Sequence, residues 1–244
     1  MLNQIHYGFV IDVSRCIDCR ACLVACRAEN QVPLGHSRIW VRDSGLQGSF
    51  PDLSRTFIPT NCMHCDEPPC VEVCTSGATY KDPATGLVLV DQEACIGCGL
   101  CVEACPYEAR YLDPQRGVVD KCNACPARLE RGDTPACVAT CLGGARLFGD
   151  LNDPESDVSK ALAKSGGSQR LVTAETDPGP NIFYINGDLQ QAGLAPRLPR
   201  YTASESVWRK AAVPFVLAAI TLSFLGQAAA FTRQLLAGEK EFDE

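Results

Sequence analysis

Cys95-Ile96-Gly97-Cys98-Gly99-Leu100-Cys101-Val102-Glu103-Ala104-Cys105-Pro106 is the stretch from which the rest of this chain can be read. Three cysteines follow one another at x2 intervals, a fourth comes after x3, and proline closes the run. A cubane [4Fe–4S] cluster needs thiolates at tetrahedral corners, and a tight C-x2-C-x2-C loop supplies three of them. In the bacterial form of this run the fourth cysteine, expected to start a helix that points away, ligates the neighbouring cluster of a two-cluster unit.

The arrangement recurs on both sides. Upstream stand Cys16-x2-Cys19-x2-Cys22-x3-Cys26 and Cys62-x2-Cys65-x4-Cys70-x3-Cys74; downstream stands Cys122-x2-Cys125-x11-Cys137-x3-Cys141. All 16 cysteines of the 244 residues therefore fall into four groups of four, and the last 103 residues contain none. With 46% hydrophobic and 21% charged residues the chain has the make-up of a folded protein. Its net charge of −7 argues against nucleic acid as a partner. Disulfides would suit a small secreted scaffold, but they require no three-point loops, and no secretory signal opens the chain. Zinc would account for the fourth group taken alone, whose two pairs are 11 residues apart, but not for the first or the third.

The flanks indicate how the groups pair. Ile11-Asp12 precedes Cys16 as Val90-Asp91 precedes Cys95. Gly77-Ala78-Thr79-Tyr80 follows the second group as Gly144-Ala145-Arg146-Leu147-Phe148 follows the fourth. The second and third groups are joined by a predicted hairpin, with Asp82-Pro83-Ala84-Thr85-Gly86 as the turn and Leu87 to Val90 as the return strand. The expected fold is thus α+β, with two nested dicluster ferredoxin-like modules in residues 1–150. The outer module comprises 1–50 with 113–150, and the inner one 51–112. Crossed ligation then assigns Cys16, Cys19, Cys22 and Cys141 to cluster 1, and Cys122, Cys125, Cys137 and Cys26 to cluster 2. Cys62, Cys65, Cys70 and Cys105 form cluster 3, and Cys95, Cys98, Cys101 and Cys74 form cluster 4.

Tyr7-Gly8-Phe9-Val10-Ile11-Asp12 ahead of Cys16-Ile17-Asp18-Cys19-Arg20-Ala21-Cys22 resembles the four-cluster electron-transfer subunits of the molybdopterin oxidoreductases. So do Cys62-Met63-His64-Cys65-Asp66-Glu67-Pro68-Pro69-Cys70 and Asp120-Lys121-Cys122. Polysulfide, dimethyl sulfoxide and nitrate reductases and formate dehydrogenases carry such subunits, as do some membrane-bound hydrogenases. The resemblance covers about residues 5–150 and implies an electron relay through four [4Fe–4S] clusters, with chemistry at a separate catalytic subunit. One departure is visible: proline follows the fourth cysteine only at Pro106, whereas Arg27, Thr75 and Leu142 stand in the equivalent places.

The other candidate residues are few. The histidines are His6, His36 and His64. His64 lies between two cysteines whose group is already complete, so a hydrogen bond to cluster or solvent fits better than ligation. Lys121, Arg128 and Arg146 near the fourth group read either as charges tuning a cluster or as solvated surface residues. No catalytic set or nucleotide-binding loop is apparent, and the chain reads as a wire without catalytic residues of its own.

Beyond residue 150 the composition changes. Residues 151–205 read as a surface extension: a helix from Asp153 to Gly167, a loop at Asp177-Pro178-Gly179-Pro180, a strand from Asn181 to Ile185 and an extended arm from Gly193 to Arg200. Ala211 to Thr232 then runs 22 residues without a charge. As a helix it spans about 33 Å, enough for a hydrocarbon core of roughly 30 Å. Pro214 is expected in its first turn, Trp208, Arg209 and Lys210 at one interface, and Arg233 at the other. A buried core helix is the competing reading. The anchor (206–236) and acidic tail (237–244), with the run from Tyr184 to Pro199, resemble the β subunit of membrane-bound formate dehydrogenase. That resemblance implies a bacterial inner-membrane protein with its clusters on the periplasmic side. The basic residues, four before the span and two after it, instead favour a cytoplasmic cluster domain. The expected partners are a catalytic molybdopterin subunit, an integral quinone-reactive subunit and the bilayer itself. A [NiFe] hydrogenase complex and a free polyferredoxin are the alternatives.

Overall fold

A computed structural model describes residues 4–189 and 203–237 and divides the chain into two units, Met1–Tyr201 and Thr202–Glu244. In the first unit the organising strand is β1, Tyr7–Asp12. Its apolar run Phe9-Val10-Ile11 is buried on both faces, and a strand without polar alternation belongs inside a sheet rather than at its edge. It lies in the middle of the largest sheet, whose other strands are β10 (Arg146–Asp150) and β11 (Ile182–Ile185). β10 pairs antiparallel, Tyr7 opposite Asp150, and β11 pairs parallel, Phe9 opposite Ile182. Gly8 is required there: a Cβ would stand 2.5 Å from Leu151 Cδ1 and 3.0 Å from the Asn181 carbonyl.

Eight further strands form two-stranded pairs. β2 (Ile39–Asp43) pairs with β5 (Phe57–Asn61), and β3 (Gln47–Ser49) with β4 (Asp52–Ser54). β6 (Thr79–Lys81) pairs with β7 (Val88–Val90), and β8 (Arg110–Leu112) with β9 (Val119–Lys121). The last two hairpins share one turn chemistry. Asp82 Oδ1 accepts from the Ala84 N–H and Asp113 Oδ1 from the Gln115 N–H, and each turn closes on a left-handed glycine, Gly86 or Gly117. The predicted hairpin after the second group is thus present, and its twin follows the third.

The helices of the cysteine-rich region are short. α1 (Ala21–Asn30) has ten residues, whereas α2 (Pro69–Glu72), α3 (Leu100–Glu103), α4 (Pro126–Leu129) and α5 (Ala136–Ala139) are single turns. α6 (Asp157–Lys164) backs the main sheet through Val158, packed with Val10 and Ile185. It begins later than the expected Asp153. Ser156 caps it by accepting from the Ser159 N–H at 3.2 Å, while Asp153 is occupied in the preceding turn. The strand expected from Asn181 begins one residue on; the arm from Gly193 to Arg200 lies outside the described residues, as do the side chains of Trp208, Arg209 and Lys210.

Arg38, between α1 and β2, reaches Asp120 of β9 with two charge-assisted hydrogen bonds, Nε to Oδ2 at 2.9 Å and Nη2 to Oδ1 at 2.6 Å. Nη1 donates to Asn123 at 3.2 Å, and the Tyr111 hydroxyl also donates to Asp120. Both charges are buried. Breaking such a pair from one side strands the other charge.

The second unit is one helix, α7 (Ala203–Ala237). It starts well before the expected span, so Pro214 falls in its interior rather than in its first turn. Phe215–Gln234 is the stretch apolar and long enough to cross a membrane, and its side chains are exposed, Phe215, Leu222, Phe224 and Phe231 among them. Thr221 and Thr232 donate their hydroxyls to the carbonyls of Leu217 and Ala228, so neither needs a solvent partner.

Asp120→Ala is expected to cost about 3–5 kcal/mol by leaving Arg38 charged and unpaired. Anaerobic thermal or denaturant unfolding measures it; an unchanged midpoint would show that the pair does not tie these segments together.

Candidate iron–sulfur centres

The first C-x2-C of each of the four groups carries a left-handed residue immediately before its second cysteine. They are Asp18 (φ 51°), His64 (φ 47°), Gly97 (φ 67°) and Ala124 (φ 60°). This conformation costs a side-chain-bearing residue energy, so its recurrence marks a geometric demand rather than a local preference. A left-handed residue in a tight turn brings successive N–H groups to one side, a concavity that suits an anionic Fe–S site. At Gly97 the space is also closed, since a Cβ would meet the Gly117 carbonyl oxygen at 2.1 Å.

The third and fourth cysteines of each group lie one helical turn apart. Cys22 and Cys26 share α1; Cys70, Cys101 and Cys137 lie in α2, α3 and α5, with Cys74, Cys105 and Cys141 just past the ends. The fourth cysteine thus closes a helical turn rather than starting a helix, because the turn begins at the third. In three groups a left-handed residue follows three positions later (Gly77, Glu108, Gly144), then alanine, then a strand. That reversal lets backbone N–H groups meet the fourth sulfur: Thr79 donates to Cys74 Sγ at 3.3 Å and Ala145 to Cys141 Sγ at 3.2 Å.

The thiols gather across the sequence. Cys16, Cys19, Cys22 and Cys141 line one cavity, with Arg146 among its walls. Cys62, Cys65, Cys70 and Cys105 line another, together with Tyr107 and Arg110. Asn30 lies between Cys26 and Cys125, its Nδ2 3.8 and 3.5 Å from the two sulfurs. α2 packs against α3, placing Cys101 and Cys95 in one apolar cluster with Cys70. Among the described residues no three His, Cys, Asp or Glu side chains converge on a single ion. Thiols spread around a cavity fit a multi-atom cluster better than one zinc, which would draw four sulfurs to about 2.3 Å from a common centre.

Electrostatics makes the same point. Burial pushes the Cys26 and Cys65 thiols far up, with further repulsion from Cys122, Cys137 and Cys125 on the first and from Cys62, Cys70 and Cys105 on the second. Burial likewise pushes Cys105 and Cys122 up to about 12. Such thiols become thiolates only when iron supplies positive charge. Cys74 differs: despite burial, hydrogen bonds from Thr79 and Ser76 hold it below the ordinary thiol value.

Of the remaining candidates, His64 is buried rather than solvated, and its Nδ1 accepts from the Val88 N–H at 3.1 Å. Lys121 and Arg146 are buried too, so neither is a surface charge, whereas Arg128 is half-buried beside Glu29. Arg110, absent from the candidates that the sequence suggests, donates from Nη2 to Cys70 Sγ at 3.0 Å. One signal does point to it: Arg110 stands five residues after Cys105, as Arg146 stands after Cys141.

Cysteine-walled cavities joined by short ββ and one-turn α elements define an electron carrier of the dicluster ferredoxin type. The profile of the 4Fe-4S dicluster domain matches residues 53–151 and that of a 4Fe-4S binding domain residues 13–29. The B subunit of tetrathionate reductase from Salmonella typhimurium is 39% identical over 84% of this chain and 80% of its own length. Protein NrfC of Escherichia coli K12 is 45% identical over 72% of this chain and 80% of its own length. The B subunit of sulfite dehydrogenase from Allochromatium vinosum is 38% identical over 83% and 91%. The chain belongs to the 4Fe-4S electron-transfer (β) subunits of the molybdopterin oxidoreductase family. It is an iron–sulfur electron-transfer subunit of an oxidoreductase complex, holds multiple [4Fe–4S] clusters and has a catalytic partner. These relatives do not favour the hydrogenase or free polyferredoxin alternatives.

Gly97→Ala should disrupt the loop of the third group, because the new methyl would collide with Gly117 at a left-handed position. The expected result is loss of about one cluster in four, read as iron and acid-labile sulfide. Full cluster content would show that the loop relaxes.

Proposed function

We propose that the chain relays electrons through four [4Fe–4S] clusters, in the order 1–2–3–4, between its catalytic subunit and a quinone-reactive membrane subunit. The observation that carries this reading is the convergence of distant cysteines, Cys141 upon Cys16, Cys19 and Cys22, and Cys105 upon Cys62, Cys65 and Cys70. Both are the crossed sets expected from two nested dicluster modules. The pairing of β1 with β10, and of α1 with α5, around the inner hairpins supports the nesting. The proposed ligands are Cys16, Cys19, Cys22 and Cys141; Cys122, Cys125, Cys137 and Cys26; Cys62, Cys65, Cys70 and Cys105; and Cys95, Cys98, Cys101 and Cys74.

The order follows from neighbouring thiols of different sets. Cys22 feels Cys137, Cys122 feels Cys62 and Cys70 feels Cys101. Exposure supports the two ends: Cys19 and Cys98 are exposed, each beside an exposed isoleucine, Ile17 or Ile96, while clusters 2 and 3 have mostly buried ligands. When bound, the clusters supply one-electron redox chemistry; the chain holds them in sequence and excludes water from the middle pair.

We assign α7 to the bilayer. Phe215–Gln234 is about 30 Å long at 1.5 Å per residue, with its large apolar side chains exposed. We take the anchor to lie in the inner membrane with the cluster domain on the periplasmic side; the likeness of the tail to formate dehydrogenase β subunits supports this reading, against the excess of basic residues before the span.

Two experiments test the reading. Anaerobic preparations should hold about sixteen iron and sixteen sulfide per chain, and Cys26→Ser should alter the EPR signal of the cluster held by Cys122, Cys125 and Cys137. Loss of the signal from Cys16, Cys19 and Cys22 instead would reverse the partition. Removing residues 206–244 should leave cluster content intact while releasing the complex from membranes and lowering quinone-linked turnover. A truncated complex that stays on membranes and turns over normally would refute the anchor.

A further inference from the structure

Three buried cations have no role in ligation. Arg146, Lys121 and Arg110 are 1, 2 and 5% exposed. Burying a charge costs several kcal/mol unless an opposite charge compensates it. Arg38, equally buried, meets that condition with the bidentate Asp120. The other three have no such carboxylate contact among the described residues, and two have idle donors. Arg146 leaves Nε and Nη1 without a hydrogen-bond partner, and Arg110 leaves Nε.

Their positions are regular. Arg146 borders the cavity of cluster 1, and its remaining Nη2 donates to Asn61, whose amide lies 3.8 Å from Cys122 Sγ of cluster 2. Lys121 donates to the carbonyls of Val88 and Cys122, and its charge acts on both Cys122 of cluster 2 and Cys70 of cluster 3. Arg110 borders the cavity of cluster 3 and donates to Cys70; its other Nη holds Thr79 at 3.1 Å, the residue that donates its N–H to Cys74 of cluster 4. One fixed cation therefore stands at each junction of the relay: 1–2, 2–3 and 3–4.

We propose that Arg146, Lys121 and Arg110 are junction cations that raise the reduction potentials of the clusters flanking them. An electron arriving on either flanking cluster adds negative charge beside the same cation, which changes neither its own charge nor its proton count. It leaves for the next cluster with the cation still in contact. A shared cation lowers the energy of both occupied states together, so it raises both potentials without widening the step between them or trapping the electron on one side. The anionic clusters in turn supply the compensation that the idle N–H groups lack. Net cluster charge and hydrogen bonds to sulfur are the established levers on such potentials, and buried positions escape the screening that would blunt them.

The inference rests on the proposed cluster partition, and the two fail separately. The EPR signal altered in Cys26→Ser reports on the partition; midpoint potentials in the cation variants report on the cations. EPR-monitored redox titration of the full complex should compare Arg110→Gln, Arg146→Gln and Lys121→Gln with Arg110→Lys, Arg146→Lys and Lys121→Arg. Each neutral variant should lower the potentials of its two flanking clusters, by about tenfold in the reduction equilibrium or 59 mV for a one-electron couple. The charge-preserving variants should recover most of that loss. Neutral variants with full iron content and unchanged potentials would overturn the proposal, as would charge-preserving variants shifted as far as neutral ones. If a neutral variant fails to assemble, restored iron content and potential in its charge-preserving counterpart support the proposal, and failure there refutes it.

Discussion

Buried sulfur is the constraint on which the first unit depends. Nine of the 16 thiols are buried, in a unit whose strands mostly run three residues and whose cysteine-bearing helices are mostly single turns. Elements so short bury little apolar surface of their own, and an isolated two-stranded hairpin is marginal in water. Burial pushes most of these thiols away from ionisation, so without iron the interior would be a cluster of neutral, weakly interacting groups. In the proposed partition, ligation turns the same atoms into cross-links between segments more than a hundred residues apart in sequence, Cys16 with Cys141. Folding and cluster binding are then one free-energy change.

The rest of the architecture accommodates that demand. The left-handed residue before each second cysteine curls the loop, the helical turn carries the fourth thiol onward, and in three of the groups a second reversal sends the chain into a strand. The main sheet does different work. It holds the two ends of the cysteine-rich region together, with β1 from before the first group lying between β10 and β11 from after the last. The Arg38–Asp120 pair adds a second tie between early and late segments. Both ties involve backbone ladders and an internally paired charge rather than thiols, so they position the cavities without competing for ligands.

Charge is distributed with the same economy. The chain is acidic overall, yet the interior around the sulfurs is lined with cations that have almost no protein anions to meet. Such an interior suits an anionic guest, and the donors left without a partner at Arg110 and Arg146 fit the clusters proposed for these cavities.

Much of this was legible in the letters. The spacing of sixteen cysteines specifies ligand type and number because a cubane imposes a fixed distance between thiolates, and short loops can meet it in few ways. Repeated flanks, such as Gly77-Ala78 and Gly144-Ala145, are local signals and survive in one dimension. The apolar run of α7 was equally plain, since a helix's length and charge are properties of contiguous sequence. What no local pattern carries is which charged residues are taken out of water. Lys121 and Arg146 read equally well as surface residues, Arg110 went unremarked, and Arg38 bore no sign of Asp120 82 residues away. The start of α6 and the interior position of Pro214 were likewise decided by capping and by where the helix begins, not by propensity. Burial of a charge depends on the packing of segments distant in sequence, and only the tertiary structure decides it.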